Sequence, residues 1–336
     1  MKIIDLFSGI GGFALGFQRA GYQFTEHYFS EIDKHAIANY KHNFPHAKNL
    51  GDITTLHGRD FTDIDIITFG SPCQDFSLAG RREGLKGNKS SLIAHAIALI
   101  AQLRPSVFVW ENVKGAFSSN ARTDFWAILQ AFANLGGYRL EWQLLNTSWL
   151  LPQNRERIYL VGHLAGRSVP GVFPIGKNDK LLDRKTREKG WRGRNFKTSL
   201  ARTITARYSK MGSYDTYIVP KVAATLTGGG HSGGLHSDMT VIRQLKRGKN
   251  KGADLTICPT ISSNAFQENN LLNGVRRLTE IECERLQGFP DNWTQYGDYN
   301  GKIRRISKTQ RYKLIGNAVT VDIVTMIAKR LKFLEP

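Results

Sequence analysis

Along the first 165 residues, short apolar runs alternate with stretches of helical period. KIIDLF at 2–7, YFSEID at 28–33, IDIITFG at 64–70, SVFVWEN at 106–112 and RIYLVGH at 157–163 read as strands. Three of them are nearly continuous in apolar residues, as strands covered on both faces are. FALGFQRAG at 13–21, KHAIANYKHNF at 34–44, SLIAHAIALIAQL at 91–103 and DFWAILQAFANLG at 124–136 space their apolar residues for helices. This alternation predicts an α/β fold, a mostly parallel sheet with helices on both faces. In such sheets ligands sit beyond the carboxyl ends of the strands, and each polar cluster discussed below follows an apolar run.

From about 166 to 275 the pattern changes. Gly, Thr, Ser, Asn and basic residues dominate, and short pieces such as YDTYIV, AATLT and MTVI read as strands joined by long loops. A faint recurrence of Thr followed by a β-branched residue or Leu centres on Thr203, Thr225 and Thr260. Helical spacing returns in RRLTEIECERLQGF at 276–289. The terminal GNAVTVDIVTMIAKRLKFL predicts one amphipathic helix with Gly316 and Asn317 at its start.

Charge sharpens this division. The chain of 336 residues carries a net +19, and residues 163–252 hold 19 basic against five acidic side chains, a net +14. A folded region with that field attracts a polyanion. The hydrophobic fraction of 41% excludes a disordered chain. No run of about 18 apolar residues offers a membrane span, and the N-terminus lacks the pattern of a secretory signal. Three scattered cysteines without CxxC spacing exclude a disulfide scaffold or a cysteine zinc site, so no metal is expected and a reducing, cytoplasmic setting fits.

Four clusters carry candidate chemistry. In Asp5-Leu6-Phe7-Ser8-Gly9-Ile10-Gly11-Gly12 a strand runs into glycines that admit a ligand close to the backbone. Gly9, Gly11 and Ala14 match G-x-G-x-x-A, which serves NAD and S-adenosylmethionine alike. Glu31, ending the next strand, and Asp52 are carboxylates placed to accept ribose hydroxyls. Cys73, in Gly70-Ser71-Pro72-Cys73-Gln74, sits on a loop after a strand, where a thiol is either a nucleophile or a small buried apolar residue. Glu111 follows SVFVW, where a carboxylate is partly desolvated and suited to proton exchange or simply to an ion pair. Gln153-Asn154-Arg155-Glu156-Arg157 puts alternate arginines on one side of a strand, fit for carboxylates or phosphates.

In this order, DLFSGIGG at 5–12, GSPCQ at 70–74, ENV at 111–113, QNRERIY at 153–159, RRLTEIECERLQGFP at 276–290 and GNAV at 316–319 resemble the cytosine-5 DNA methyltransferases of bacterial and phage restriction–modification systems. The resemblance covers nearly the whole chain except the basic middle segment. It implies a Rossmann-like catalytic and cofactor-binding domain of residues 1–165 plus 300–336. Residues 166–299 would form a smaller β and loop target-recognition domain and hinge. The implied substrate is duplex DNA and the cofactor S-adenosylmethionine, in a monomer that works beside a cognate restriction endonuclease.

Carried over residue by residue, the resemblance assigns Asp5, Phe7, Gly9, Gly11, Gly12, Glu31, Asp52, Ile53, Pro72 and Asn317 to the cofactor. Many members have Trp after the acidic residue; here Ile32 stands there. Cys73 is the nucleophile that adds to C6 of a flipped-out cytosine. Glu111 bonds N3 and the amino group, Arg157 holds Glu111 and faces O2, and Arg155 assists. Gln74, Ser77, Arg81 and Arg82 belong to a loop closing over the base. Thr260, with Thr225 as second choice, contacts the DNA backbone. Cys258 and Cys283 are structural. A tRNA methyltransferase of the same fold is the nearest alternative, but it carries a shorter middle region and a Cys-Phe-Thr element absent here.

Overall fold

The computed structural model describes residues 1–71, 92–114, 121–151, 153–176 and 279–334, together with short strands between 217 and 277. Strands β1 (Lys2–Leu6), β2 (Glu26–Ser30), β3 (Lys48–Asn49), β4 (Ile66–Gly70), β5 (Val107–Val113), β6 (Tyr138–Asn146) and β7 (Glu156–Leu164) form one sheet in the order β3-β2-β1-β4-β5-β7-β6. The first five of that order run parallel, while β7 pairs antiparallel with both β5 and β6.

Period-two geometry divides the side chains of each central strand between two cores. Ile3, Ile66, Val107, Val109, Tyr159 and Val161 face one core. Ile4, Leu6, Ile67, Phe69, Phe108, Trp110, Ile158 and Leu160 face the other, where α3 (Leu92–Leu103) and α4 (Ala121–Ala133) pack. On the first face lies α1 (Gly12–Arg19), beside the last helix, α7 (Val321–Arg330). Their contact is close: a methyl group on Gly16 would fall 2.5 Å from Val324 Cγ1. Nearby, α2 (Lys34–Asn43) is capped by Asp33, whose side chain accepts from the main chain of His35 and Ala36.

The four expected helices are all present, each with boundaries within a few residues. Two strands of this sheet went unread. One is β3, only two residues long. The other is β6, an edge strand whose polar positions are covered: Glu141 accepts from the main-chain N–H groups of Gly171, Val172 and Phe173, and Gln143 bonds both main-chain groups of Ile175. Following β7, β8 (Ser168–Val169) pairs with a C-terminal strand.

The middle segment contributes β9 (Tyr217–Ile218), β10 (Ile242–Gln244), β11 (Ala253–Leu255), β12 (Asn270–Leu272) and β13 (Arg276–Arg277), with β10 between β11 and β12 and β9 paired to β13. Helix α5 (Glu280–Leu286) opens with a capping box formed by Thr279 and Glu282. The hairpin β14 (Tyr296–Asp298) and β15 (Ile303–Arg305) packs on α2. Trp293 Nε1 donates to Ile10 O at 2.9 Å, and Asn39 Nδ2 reaches Trp293 O and Tyr296 O, so residues 293–296 rest on the first half of the chain.

At the C-terminus the expectation of one helix from Gly316 is corrected. Gly316 and Asn317 end α6 (Lys308–Asn317), Ala318 is extended, and α7 starts only at Val321, after which β16 (Lys332–Phe333) pairs with β8. The break lets Arg155 take the carbonyls of Gly316 and Ala318, which a continuous helix would have used internally.

Candidate active site

The turn after β1 is built around left-handed backbone. Phe7 has φ 51°, Gly9 55° and Gly11 81°. For a bulky residue such as Phe7 that conformation is strained, and strain of this kind collects at ligand sites. Gly11 and Gly12 also have no room for a methyl group, which would meet Phe44 Cε2 at 2.4 Å and Val319 Cγ2 at 2.6 Å. Glu31 pins the turn: its Oε2 accepts from Gly9 N at 3.0 Å, while Oε1 accepts from Ile32 N and Asp33 N. Ser8 N donates to Ser30 O and Ser30 Oγ to Gly51 O, lacing the strand ends together.

Asp52 caps the short turn that follows and accepts from Thr54 N. Ile53 is buried in the α3-side core, so it offers a ligand its main chain rather than its side chain. Ile32 is 75% exposed at the mouth of this turn. Asn317 is exposed at the end of α6.

Asp5 lies beneath the turn and is fully buried. Thr68 Oγ1 donates to its Oδ1 at 2.8 Å, and Tyr40 OH lies 3.2 Å from Oδ2 and 2.8 Å from His27 Nε2. Burial pushes the Asp5 carboxyl up to about 8, against the pull of the Thr68 and Tyr40 hydrogen bonds, with the charge of Glu31 adding to the rise. Burial likewise lowers His27 to about 4. Asp5 is therefore buried under the Phe7–Gly12 turn and held by protein partners, so it shapes the turn from below.

Two strands to the side, β4 and β5 bring a second group together. Register sets Gly70 against Glu111 and, across β5–β7, Glu111 against Tyr159 and Val113 against Arg157. The same period that buries Val107 and Val109 turns Glu111 and Arg157 to the α1–α7 face. Arg157 Nε stands 3.0 Å from Glu111 Oε1, and both side chains are at most 15% exposed. Gly70 leaves the carboxylate its space: a methyl group there would lie 3.2 Å from Glu111 Oε2.

Ser71 is the last described residue before Pro72 and Cys73. It is pinned from β5, with Trp110 Nε1 donating to its hydroxyl at 3.1 Å and Asn112 Nδ2 reaching both its hydroxyl and its carbonyl. Sequence reasoning singled out neither Ser71 nor the anchoring by Asn112, although both flank matched positions.

Arg155 is buried and donates to Gly316 O at 3.3 Å and Ala318 O at 2.7 Å. Gln287 and Thr320, also buried, meet at the same break, and the buried Gln153 donates to Leu286 O, next to Gln287. Sequence reasoning passed over Gln287 and Thr320, whose side chains look like ordinary helix-end residues. Cys283 is buried in α5, where burial raises its thiol well above the ordinary range, in line with a structural role. Pro72, Cys73, Gln74, Ser77, Arg81, Arg82, Thr203, Thr225, Cys258 and Thr260 lie outside the described residues.

A family model described as C-5 cytosine-specific DNA methylase matches residues 1–333. The chain belongs to that family. Among its relatives, the type II methyltransferase M.NgoBI of Neisseria gonorrhoeae is 31% identical over all of this chain and 94% of its own length. M.Bsp6I of Bacillus sp. (strain RFL6) is 28% identical over 98% of each chain. The fold agrees with that of the Dnmt2 methyltransferase of S. pombe, at a TM-score of 0.62 and 19% identity over 97% of this chain and 96% of that one. The protein is thus a C-5 cytosine DNA methyltransferase of the restriction–modification type, with the Rossmann-like α/β fold expected of it. Among the described residues no helix is long and apolar enough to cross a membrane, and no group of three or more His, Cys, Asp or Glu is arranged to hold a metal ion.

Proposed function

We propose that this methyltransferase modifies a cytosine swung out of duplex DNA, with Cys73 as nucleophile, Glu111 as the proton-exchanging group and Arg157 as its partner. The observation that carries this reading is the buried Glu111–Arg157 pair beside Gly70, one residue from the anchored Ser71. Such a pair offers a planar ring a carboxylate for N3 and the amino group, and a cation for O2. A pyrimidine reaches it only after leaving the base stack, at a cost of a few kcal/mol.

Cytosine C5 is a poor nucleophile until ring aromaticity is broken. Addition of the Cys73 thiolate to C6, with a proton supplied to N3 from Glu111, turns the ring into an enamine whose C5 attacks an electrophilic carbon. S-adenosylmethionine supplies that carbon as a sulfonium methyl. Loss of the C5 proton to water, with the N3 proton returning to Glu111, then lets Cys73 leave as the thiolate and restores the ring. Splitting one hard step into easier ones is the benefit of covalent catalysis.

The donor set beneath β1 and β2 fits that cofactor. The turn at Phe7–Gly12 exposes backbone close to a ligand, Glu31 offers a carboxylate at the end of β2, and Ile32 and Phe7 offer apolar contact. Asp52, the Ile53 main chain and Pro72 complete the adenosine side, and Asn317 the methionine end. Three of the four acceptor positions of Glu31 already take main-chain N–H groups, which leaves one, on Oε2, for a ribose hydroxyl.

The net +14 of residues 163–252 suits a segment that grips phosphates while its loops, with Thr260 or Thr225, meet the duplex, and Gln74, Ser77, Arg81 and Arg82 close over the base. We place the recognition unit between about 178 and 278. Within residues 279–299, Trp293 bonds to Ile10 and Asn39 of the catalytic unit, and Val172 and Ile175 lie in the α1–α7 core. We further propose a protective role beside an endonuclease, in the cytoplasm and as a monomer; the relatives' type II names support the first of these. A duplex carrying 5-fluorocytosine in the recognised sequence should leave chain and DNA covalently joined through position 73. Bisulfite sequencing of DNA from expressing cells should locate the modified base. An adduct at another residue, or none with an active preparation, overturns the role of Cys73.

A further inference from the structure

Thr320 stands at the N-cap of α7 but does not cap it: its side chain accepts nothing from the helix's first turn. An N-cap threonine normally spends its oxygen on those N–H groups. Here the hydroxyl is buried, 1% exposed, and lies in a chain of buried polar groups. Thr320 Oγ1 donates to Gln287 Oε1 at 3.1 Å, so it accepts from Thr147 Oγ1 at 2.8 Å, because each hydroxyl has a single hydrogen. Gln287 Nε2 passes the direction on to Ile315 O at 3.3 Å, and Gln287 O accepts from Val321 N. The chain thus runs one way, from Thr147 through Thr320 and Gln287 to Ile315, and closes on both ends of the break between α6 and α7.

Between those ends sits Val319. One of its methyl groups, Cγ2, lies 2.6 Å from where a methyl on Gly12 would fall, and Cγ1 lies 4.0 Å from the same point on Gly70. Val319 therefore packs against the Phe7–Gly12 turn on one side and faces Gly70, the neighbour of Glu111 across β4–β5, on the other. Its own place is set by Thr320, the next residue, and by Arg155 on the carbonyl of Ala318.

We propose that Thr320 is a positioning residue for methyl transfer: through its hydroxyl it fixes Val319 as the spacer between the cofactor turn and the base-holding pair. This rests on the functional reading above. Misplacing reacting groups by a fraction of an ångström weakens transfer without removing any group that touches the substrate.

The test uses the full chain and the isosteric variant Thr320→Val, with Thr320→Ser as the conservative partner. S-adenosylhomocysteine binding is measured by calorimetry, duplex binding by anisotropy, and kcat and KM for the methyl donor by methyl incorporation. T320V should bind S-adenosylhomocysteine about tenfold more weakly, the loss expected for one buried hydrogen bond. Its kcat should fall with the duplex Kd unchanged, and T320S should restore both values. Thr147→Val should mimic T320V, and the double variant should add little. T320V with wild-type affinity and turnover overturns the proposal, as does T320S as impaired as T320V. Binding of S-adenosylhomocysteine by the wild-type chain checks the methyl-transfer reading separately, so the two fail in different ways.

Discussion

Arg157 Nε stands 3.0 Å from Glu111 Oε1 on adjacent antiparallel strands, with Glu111 two residues from Val113, which register sets opposite Arg157. The contact is a diagonal one, so Arg157 approaches the carboxylate from the side and leaves the end of β5 open towards Gly70 and Ser71.

Breaking that pair leaves a buried charge without its partner. Arg157→Ala should lower the unfolding free energy by about 3 kcal/mol and remove methylation. The double variant Glu111→Leu/Arg157→Leu should regain most of the stability and none of the activity, because an apolar pair of similar volume replaces the ions. Urea unfolding followed beside methyl incorporation checks both halves. A double variant no more stable than R157A would show that packing around Arg157, not charge, carries the cost.

Gly16 tests the seam between α1 and α7. Alanine favours a helix over glycine by up to about 1 kcal/mol, yet its methyl group would lie 2.5 Å from Val324 Cγ1 and 3.2 Å from the main-chain nitrogen of Thr325. Overpacking of this kind costs about 1–3 kcal/mol, so Gly16→Ala should destabilise, and Gly16→Ala/Val324→Ala should recover much of the loss. A G16A midpoint in urea at or above wild type would mean that the helices separate at little cost.

The pair Asp5 and His27 gives stability a pH signature. Asp5 is raised from an ordinary 3.8 to about 8, so from pH 4 to 8 the unfolded chain releases a proton that the native state keeps. Stability from this group is full below pH 4 and falls as pH rises to about 8. His27, lowered from 6.5 to about 4, acts oppositely: between pH 4 and 6.5 the unfolded state binds the extra proton, so its contribution rises with pH and then levels. The two oppose one another below pH 6.5, and Asp5 acts without that opposition between 6.5 and 8, where it should cost about 2 kcal/mol. Unfolding free energies of wild type and Asp5→Asn should diverge over that window, with wild type losing more. Parallel curves would place the Asp5 proton elsewhere.

Binding to duplex DNA should weaken steeply with salt, since residues 163–252 carry net +14 and each neutralised phosphate contributes about −0.9 to the slope of log affinity against log salt. Replacing Arg184, Lys185, Arg187 and Lys189 by Ala should flatten that slope while leaving S-adenosylhomocysteine affinity unchanged. An unaltered slope would move the DNA contact out of this run.

Much of this protein was readable from order along the chain. Apolar runs such as KIIDLF and SVFVWEN announced buried strands because a strand covered on both faces has no polar face to show. The Phe7–Gly12 turn and the Glu111 position followed from where those runs stop. Strand β6 was missed because its polar residues, Glu141 and Gln143, are satisfied by main chain some 30 residues away, a pairing that local pattern does not contain. The break between Asn317 and Val321 was missed for a similar reason: the segment has helical period, and the partners that open it, Arg155 and Gln287, come from distant parts of the chain. Local composition dictates which residues form elements, since propensity and burial period act over a few neighbours. Which carbonyl an arginine takes, and whether a threonine caps its own helix or joins a buried relay, depends on what folding brings within 3 Å.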